Sequence, residues 1–408
     1  MNFEVTRLEN DERLLSQLES IRSSENIQVL VPFAKAYLGM FYIIDSKLPA
    51  ADKVRLLANK TLAEAIFQGF VASLKRSSLP TVEDIGSAMA EQKELPEGYV
   101  MLAGLDLLAS AAPEDIASLP GETLATVSGF YFSNKVNHKS HWFDYLFSHH
   151  KAMMVTNIGR YWVAMLKNNA VYLPGIDLVL GTAPDELMLE ECVLPLLQHW
   201  ENCKAKTLFR LLLQAFQYSD PQALLRVAEA KLAEEEKLSE RAQLYWTATA
   251  CFISPAKHYA RLSAYTGRVK IKVMPLLDLI NQAMLNKESK IDFNDRLVAD
   301  LLRLIAPIFP PQHHVYGSLG GLDINSKNVM LLFYALACSK SENVTHELKT
   351  LRKVRVMKIY SGVIDYLLEM QLRKTNEAAF AMPDFDAFLA SLFENDLLQG
   401  KSNRFDLR

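Results

Sequence analysis

Apolar residues recur along this chain at intervals of three and four. Ile27, Leu30, Val31, Ala34, Tyr37, Leu38 and Phe41 follow that spacing, as do Leu208, Leu211, Leu212, Ala215 and Phe216. Leu238, Ala242, Tyr245 and Trp246 repeat it, and so do Phe385, Phe388, Leu389, Leu392 and Phe393. Each set is one stripe of a 3.6-residue helix turned toward a partner. Alternation with a period of two is scarce. Val269-Lys270-Ile271-Lys272-Val273 is the one stretch that could form a strand, and Pro275 follows it at once with a helical pattern behind.

Turn residues divide these stripes into many short helices. Proline stands just inside expected helix starts at Pro113, Pro184, Pro221, Pro255 and Pro383, where its missing amide costs nothing. Thr81-Val82-Glu83-Asp84 reads as a capping box with an aspartate in its last place, and Asp220 and Ser254 read as N-caps. Helices of roughly 12–17 residues joined by loops of about two to six residues force antiparallel neighbours. The stretch 185–267 reads as two or three helix pairs of roughly 35–40 residues, the period range of helical solenoids.

The predicted fold class is therefore all-α: an irregular solenoid of stacked helical hairpins of the HEAT or TPR kind, with a compact irregular bundle as its rival. At 408 residues the chain exceeds one ordinary core, which stops growing near ~250–300 residues. The expected organisation is a helical-repeat array over 1–309, a Pro/Gly-rich loop over 310–325, a C-terminal helical cap over 326–396, and a polar tail over 397–408.

Composition narrows the setting. Apolar residues make up 50%, charged residues 22%, and the net charge is −3. That balance lacks the overall basic excess of a general nucleic-acid binder. Cys192, Cys203, Cys251 and Cys338 are scattered without metal-ligand spacing and suit a reducing cytoplasm. The start, Met1-Asn2-Phe3-Glu4-Val5, has no secretory pattern. The charge-free stretch 328–339 is about twelve residues long, where a membrane span needs about 20. The expectation is a cytoplasmic protein outside the membrane.

Candidate chemistry is sparse. His138, His141, His149 and His150 lie close together and are weak metal candidates, because the bulky block Trp142, Phe143, Tyr145, Leu146 and Phe147 separates the two pairs. Gly317-Ser318-Leu319-Gly320-Gly321 lacks the lysine and the preceding strand of a phosphate loop. No Gly-x-Ser-x-Gly elbow is present. Asp384 and Asp386 fall at a helix start, where acids are favoured. The sequence thus predicts no catalytic residue, no cofactor and no enzyme. Lys349, Arg352, Lys353, Arg355 and Lys358 are the best candidates for binding nucleic acid, on a helix predicted over 348–360. Tyr131, Trp142, Tyr161, Trp162 and Tyr245 are candidate anchors for a protein partner.

Several packing and turn segments resemble the C-terminal helical-repeat regions of large bacterial NACHT-type (STAND) NTPases. They are Leu79-Pro80-Thr81-Val82-Glu83-Asp84-Ile85-Gly86, Leu95-Pro96-Glu97-Gly98-Tyr99-Val100 and Ala103-Gly104-Leu105-Asp106-Leu107-Leu108-Ala109, then His141-Trp142-Phe143 and Leu194-Pro195-Leu196-Leu197, then Ala306-Pro307-Ile308-Phe309-Pro310-Pro311 and Leu351-Arg352-Lys353. Together they span roughly 60–395. The resemblance implies a sensor-type solenoid of bacterial defence against phage, whose repeats bind a protein. It carries over no catalytic residue, and the nucleotide-binding module of that family is missing from this sequence. The expected function is a non-enzymatic scaffold, adaptor or sensor for another protein, with an NTPase or effector as the expected partner. The alternative is a nucleic-acid-binding module on 348–360.

Overall fold

A computed structural model describes residues 12–111, 113–134, 141–201, 203–267, 269–286, 288–311, 313–314, 321–322, 324–339, 341–376, 380–395 and 397. Among them the chain is all-α. The one exception is a two-residue antiparallel pairing of His313–His314 with Gly321–Leu322, within the expected 310–325 loop.

Local chemistry starts the helices much as the sequence implies. Thr81 and Asp84 form the full capping box: the Asp84 amide donates to Thr81 Oγ1 at 3.1 Å, and the Thr81 amide donates to Asp84 Oδ2 at 3.0 Å. Asp220 accepts from the Ala223 amide at 2.7 Å, with Pro221 at the first helical position. Ser254 precedes Pro255 in the same way but makes no capping bond with its side chain. Pro184 and Pro383 sit two positions before the first helical residue rather than at it. Asp185 and Asp384 behind them are the N-caps. Pro113 opens a 3-10 turn, Pro113–Ser118, rather than an α-helix.

The alternating stretch opens a helix, with Val269 as its extended N-cap residue and 270–273 as its first turn. Lys270–Leu285 forms one helix through Pro275. Alternation fails to make a strand here because only one apolar member needs burial: Val273 is fully buried, whereas Ile271 is 74% exposed. Val273, Leu276, Leu277 and Ile280, all buried, restore the three-and-four spacing.

The chain divides into two compact units, 1–203 and 204–408. The boundary falls inside the expected 1–309 array, and the helices of 326–396 belong to the second unit. In the first unit Lys60–Ser73 packs against Glu97–Ala111, and a β-carbon at Gly104 would collide with the Phe70 carbonyl. Farther along this unit Val82–Ala90, Gly121–Ser133 and Lys151–Lys167 pack on one another in all three pairings. Ile85, Phe130, Tyr161 and Trp162 are buried among them, and the Trp162 Nε1–H donates to the Pro174 carbonyl at 2.7 Å. Side chains of this size contribute about 1.5–3 kcal/mol each when fully buried.

In the second unit most packing runs between helices adjacent, or next but one, in sequence. Glu240–Ile253 packs on Pro221–Ala233, Pro255–Thr266 and Lys270–Leu285. Asp295–Ile305 packs on Ile324–Cys338 and Val344–Lys353. Among the described residues no helix is long and apolar enough to cross a membrane.

Candidate functional site

The first unit holds a half-open cleft of about 850 Å³. It lies where three helices end. Met89, Ala90 and Gln92 come from the close of Val82–Ala90, Ser133 and Asn134 from the close of Gly121–Ser133, and Met165, Asn169 and Ala170 from the close of Lys151–Lys167. Leu95 and Tyr99, at the start of Glu97–Ala111, face them across the opening.

Two of the three helices finish in the same way. The Lys93 amide donates to the Ala88 carbonyl at 2.8 Å, and the Ala170 amide donates to the Met165 carbonyl at 3.1 Å. Both wraps require a left-handed residue just before, a place glycine usually takes. Here Gln92 (φ 59°) and Asn169 (φ 58°) take it. Non-glycine residues in that region store strain, and two of the three among the described residues line this cleft.

Ile85, Met89, Met165 and Met40 give the walls an apolar, adaptable character. Val171 is 62% and Tyr172 68% exposed at the cleft. Asn134 is 5% exposed, and its Nδ2 has no hydrogen-bond partner. At the edge, Lys35 Nζ lies 2.6 Å from Glu94 Oε1 and 4.5 Å from the centre of the Tyr99 ring. Hydrogen bonds from Lys35, then from the Tyr99 hydroxyl, hold Glu94 below its ordinary pKa. Burial, followed by the hydrogen bond to Glu94, pushes Tyr99 up to about 12. Deeper in, the Tyr161 and Ser133 hydroxyls are 3.0 Å apart, and burial is the main cause that pushes Tyr161 to about 12.

The residues singled out by sequence stand differently. Trp142, Tyr161, Trp162 and Tyr245 are buried, and Tyr131 stacks on Phe143 at 4.2 Å between ring centres. Four of the five expected aromatic anchors are therefore core and Tyr131 is half-buried, while Tyr172 is an exposed aromatic at the cleft. Nothing in its setting, Ala170-Val171-Tyr172-Leu173, distinguishes it in sequence from the buried tyrosines. Cys192 and Cys251 are buried, and burial pushes both thiols up to about 12.

His138 lies outside the described residues. His141 opens the helix His141–His149, and His149 closes it with Nδ1 2.9 Å from the Tyr145 carbonyl. His150 is the next helix's N-cap residue. Among the described residues no three His, Cys, Asp or Glu side chains come together as a metal site would need.

The helix predicted over 348–360 is broken. Val344–Lys353 ends at an extended Val354, and a 3-10 turn, Arg355–Tyr360, follows. On an unbroken helix Leu348 and Leu351 would face roughly opposite to Met357 and Tyr360. The break lets all four be buried, and the Tyr360 hydroxyl donates to the Phe309 carbonyl. Arg352 forms a forked pair with Asp365 at 2.7 and 3.0 Å. Lys349, Lys353, Arg355 and Lys358 are exposed and make no ion pair among the described residues.

No family model, no curated protein and no solved structure matches this chain.

Proposed function

We propose that this protein is a non-enzymatic helical scaffold, adaptor or sensor that binds another protein through the cleft of its first unit. The observation that carries the reading is the cleft's build. Ile85, Tyr99 and Met165, buried beneath the helix ends, give the cleft an apolar floor, while Val171 and Tyr172 stay exposed beside it. Large aromatic and apolar groups held on a rigid base are what interface anchors require. The ionisable groups at the edge serve position: Glu94 is engaged by Lys35 and Tyr99. A stacked-hairpin architecture is supported by the second unit, where helices pack mostly on their sequence neighbours. The sequence resemblance to bacterial NACHT-type repeat regions adds the proposed setting, a cytoplasmic component of defence against phage with an NTPase or effector as partner.

The test is an affinity pulldown of tagged protein from its native host, with nuclease treatment, comparing the unaltered chain with a Val171→Ala, Tyr172→Ala double variant. A stoichiometric protein that survives nuclease and disappears with the double variant is expected. Retention of the same protein by the double variant would remove the cleft from the reading.

A second reading has its own observation: Lys349, Lys353, Arg355 and Lys358 are exposed and have no acidic partner among the described residues. They favour nucleic-acid binding by the second unit, tested by the salt dependence of DNA or RNA association.

A further inference from the structure

We infer that the cleft's occupant is a cationic protein segment, one that sets a lysine or arginine between apolar residues. This rests on the reading of the cleft as a protein-binding site and adds the charge of what it takes.

Three observations carry the inference. First, three helices point their C-terminal ends at one opening. Each such end carries about half a negative charge from aligned peptide dipoles. One helix, Glu97–Ala111, points its positive end there, and its own Glu97 stands in that first turn. Second, the ionised side chains at the edge balance in pairs, Lys93 with Glu91 at 2.5 Å and Lys35 with Glu94 at 2.6 Å. Those pairs leave the dipole ends uncancelled, and of the three helices only Lys151–Lys167 carries a basic residue, Lys167, in its last turn. Third, the unit that holds the cleft is acidic as a whole. Residues 1–203 contain 16 lysines and arginines against 25 aspartates and glutamates, while 204–408 contain 28 against 22. Local and overall fields thus have the same sign, the arrangement that steers an oppositely charged partner.

The chain shows how an ammonium is received there: Lys35 lies against the Tyr99 ring face and the Glu94 carboxylate. Tyr172, exposed at the cleft, offers a second ring to an incoming cation. Met40, Met89 and Met165 accept the apolar neighbours.

The experiment uses the full chain and two labelled, capped hexapeptides, one alternating leucine with lysine and one alternating leucine with glutamate. Binding is read by fluorescence anisotropy at low and high salt. The lysine peptide is expected to bind at least about tenfold more tightly at low ionic strength, with the gap narrowing as salt screens the field. Ala90→Lys places a positive charge in the lining at a helix end, where a cation favours the helix, so the variant keeps its fold. It is expected to erase the preference. Equal binding, preference for the glutamate peptide, a preference that survives Ala90→Lys, or no binding of either peptide would each overturn the inference. The natural partner separates this failure from that of the cleft reading. If the partner is lost with Val171→Ala, Tyr172→Ala while the peptides show no charge preference, only the cationic occupant falls. If the partner is retained, the cleft reading itself falls.

Discussion

Gly86 faces the backbone of Tyr161 so closely that a β-carbon at 86 would lie 2.6 Å from the Tyr161 carbonyl oxygen. That contact sets the distance between Val82–Ala90 and Lys151–Lys167, two of the helices that end at the cleft. Gly86→Ala must push them apart or bend one of them. Overpacking of this kind costs about 1–3 kcal/mol, against a gain of up to ~1 kcal/mol from alanine's better helix propensity. A net loss of about 1–2 kcal/mol is expected in the denaturant midpoint at unchanged slope. A stability equal to or above that of the unaltered chain would show that the close approach is not what spaces the helices.

Gln92 holds a left-handed conformation beside the same cleft. Glycine adopts that conformation without a β-carbon penalty. Gln92→Gly is expected to stabilise the protein by about 0.5–1 kcal/mol, because relief of strain exceeds the added freedom of the unfolded chain. Asn169→Gly is expected to gain less, since asparagine tolerates the region better. Equilibrium unfolding of the two single variants checks the order, and a larger gain at 169 would contradict it.

How much of this was readable beforehand follows the range of the interactions. The helices, the Thr81–Asp84 box and the Asp220 cap depend on neighbours within four residues, and the sequence displays them. The core also follows from periodicity, yet the same periodicity cannot tell Tyr161, buried against Ser133, from Tyr172, exposed at the cleft. The break at Val354 was hidden for a related reason. Charged residues continue across it, but Leu351 and Tyr360 are both fully buried, on faces that one straight helix would turn apart. The cleft was invisible because it is assembled from helix ends at 90, 133 and 167. Its only local trace is glutamine and asparagine where glycine ordinarily ends a helix.

Tyr161 gives a pH dependence with a definite sign. Burial, the largest cause, raises its pKa from 10.0 to about 12. The folded state therefore holds its proton more tightly than the unfolded chain. The stabilisation linked to this group is fully present below pH 10 and is lost as pH rises toward 12. Thermal melts across that window are expected to show falling stability, with a shallower fall for Tyr161→Phe. Tyrosinate absorbance should show Tyr161 and Tyr99 both ionising near pH 12. The idea fails if Tyr161→Phe leaves the alkaline slope unchanged.

Of the five basic residues singled out at 349–358, Arg352 is engaged and the other four make no ion pair among the described residues. Arg352 forks onto Asp365, both half-exposed at 42% and 54%. Arg352→Ala is expected to cost no more than ~1 kcal/mol, the ceiling for solvent-exposed pairs. Lys349, Lys353, Arg355 and Lys358 have no acidic partner among the described residues. Replacing all four with alanine is expected to leave stability within ~0.5 kcal/mol per site. The same variant decides the nucleic-acid reading. If these residues meet phosphates, the slope of log affinity against log salt should shrink by about 0.9 for each contact on duplex DNA, or roughly 3–4 for the set. Arg352→Ala should change that slope little, because its guanidinium is already held by a carboxylate. An unchanged slope in the fourfold variant would mean that any nucleic-acid binding lies elsewhere, and that these cations serve only as a solvated face.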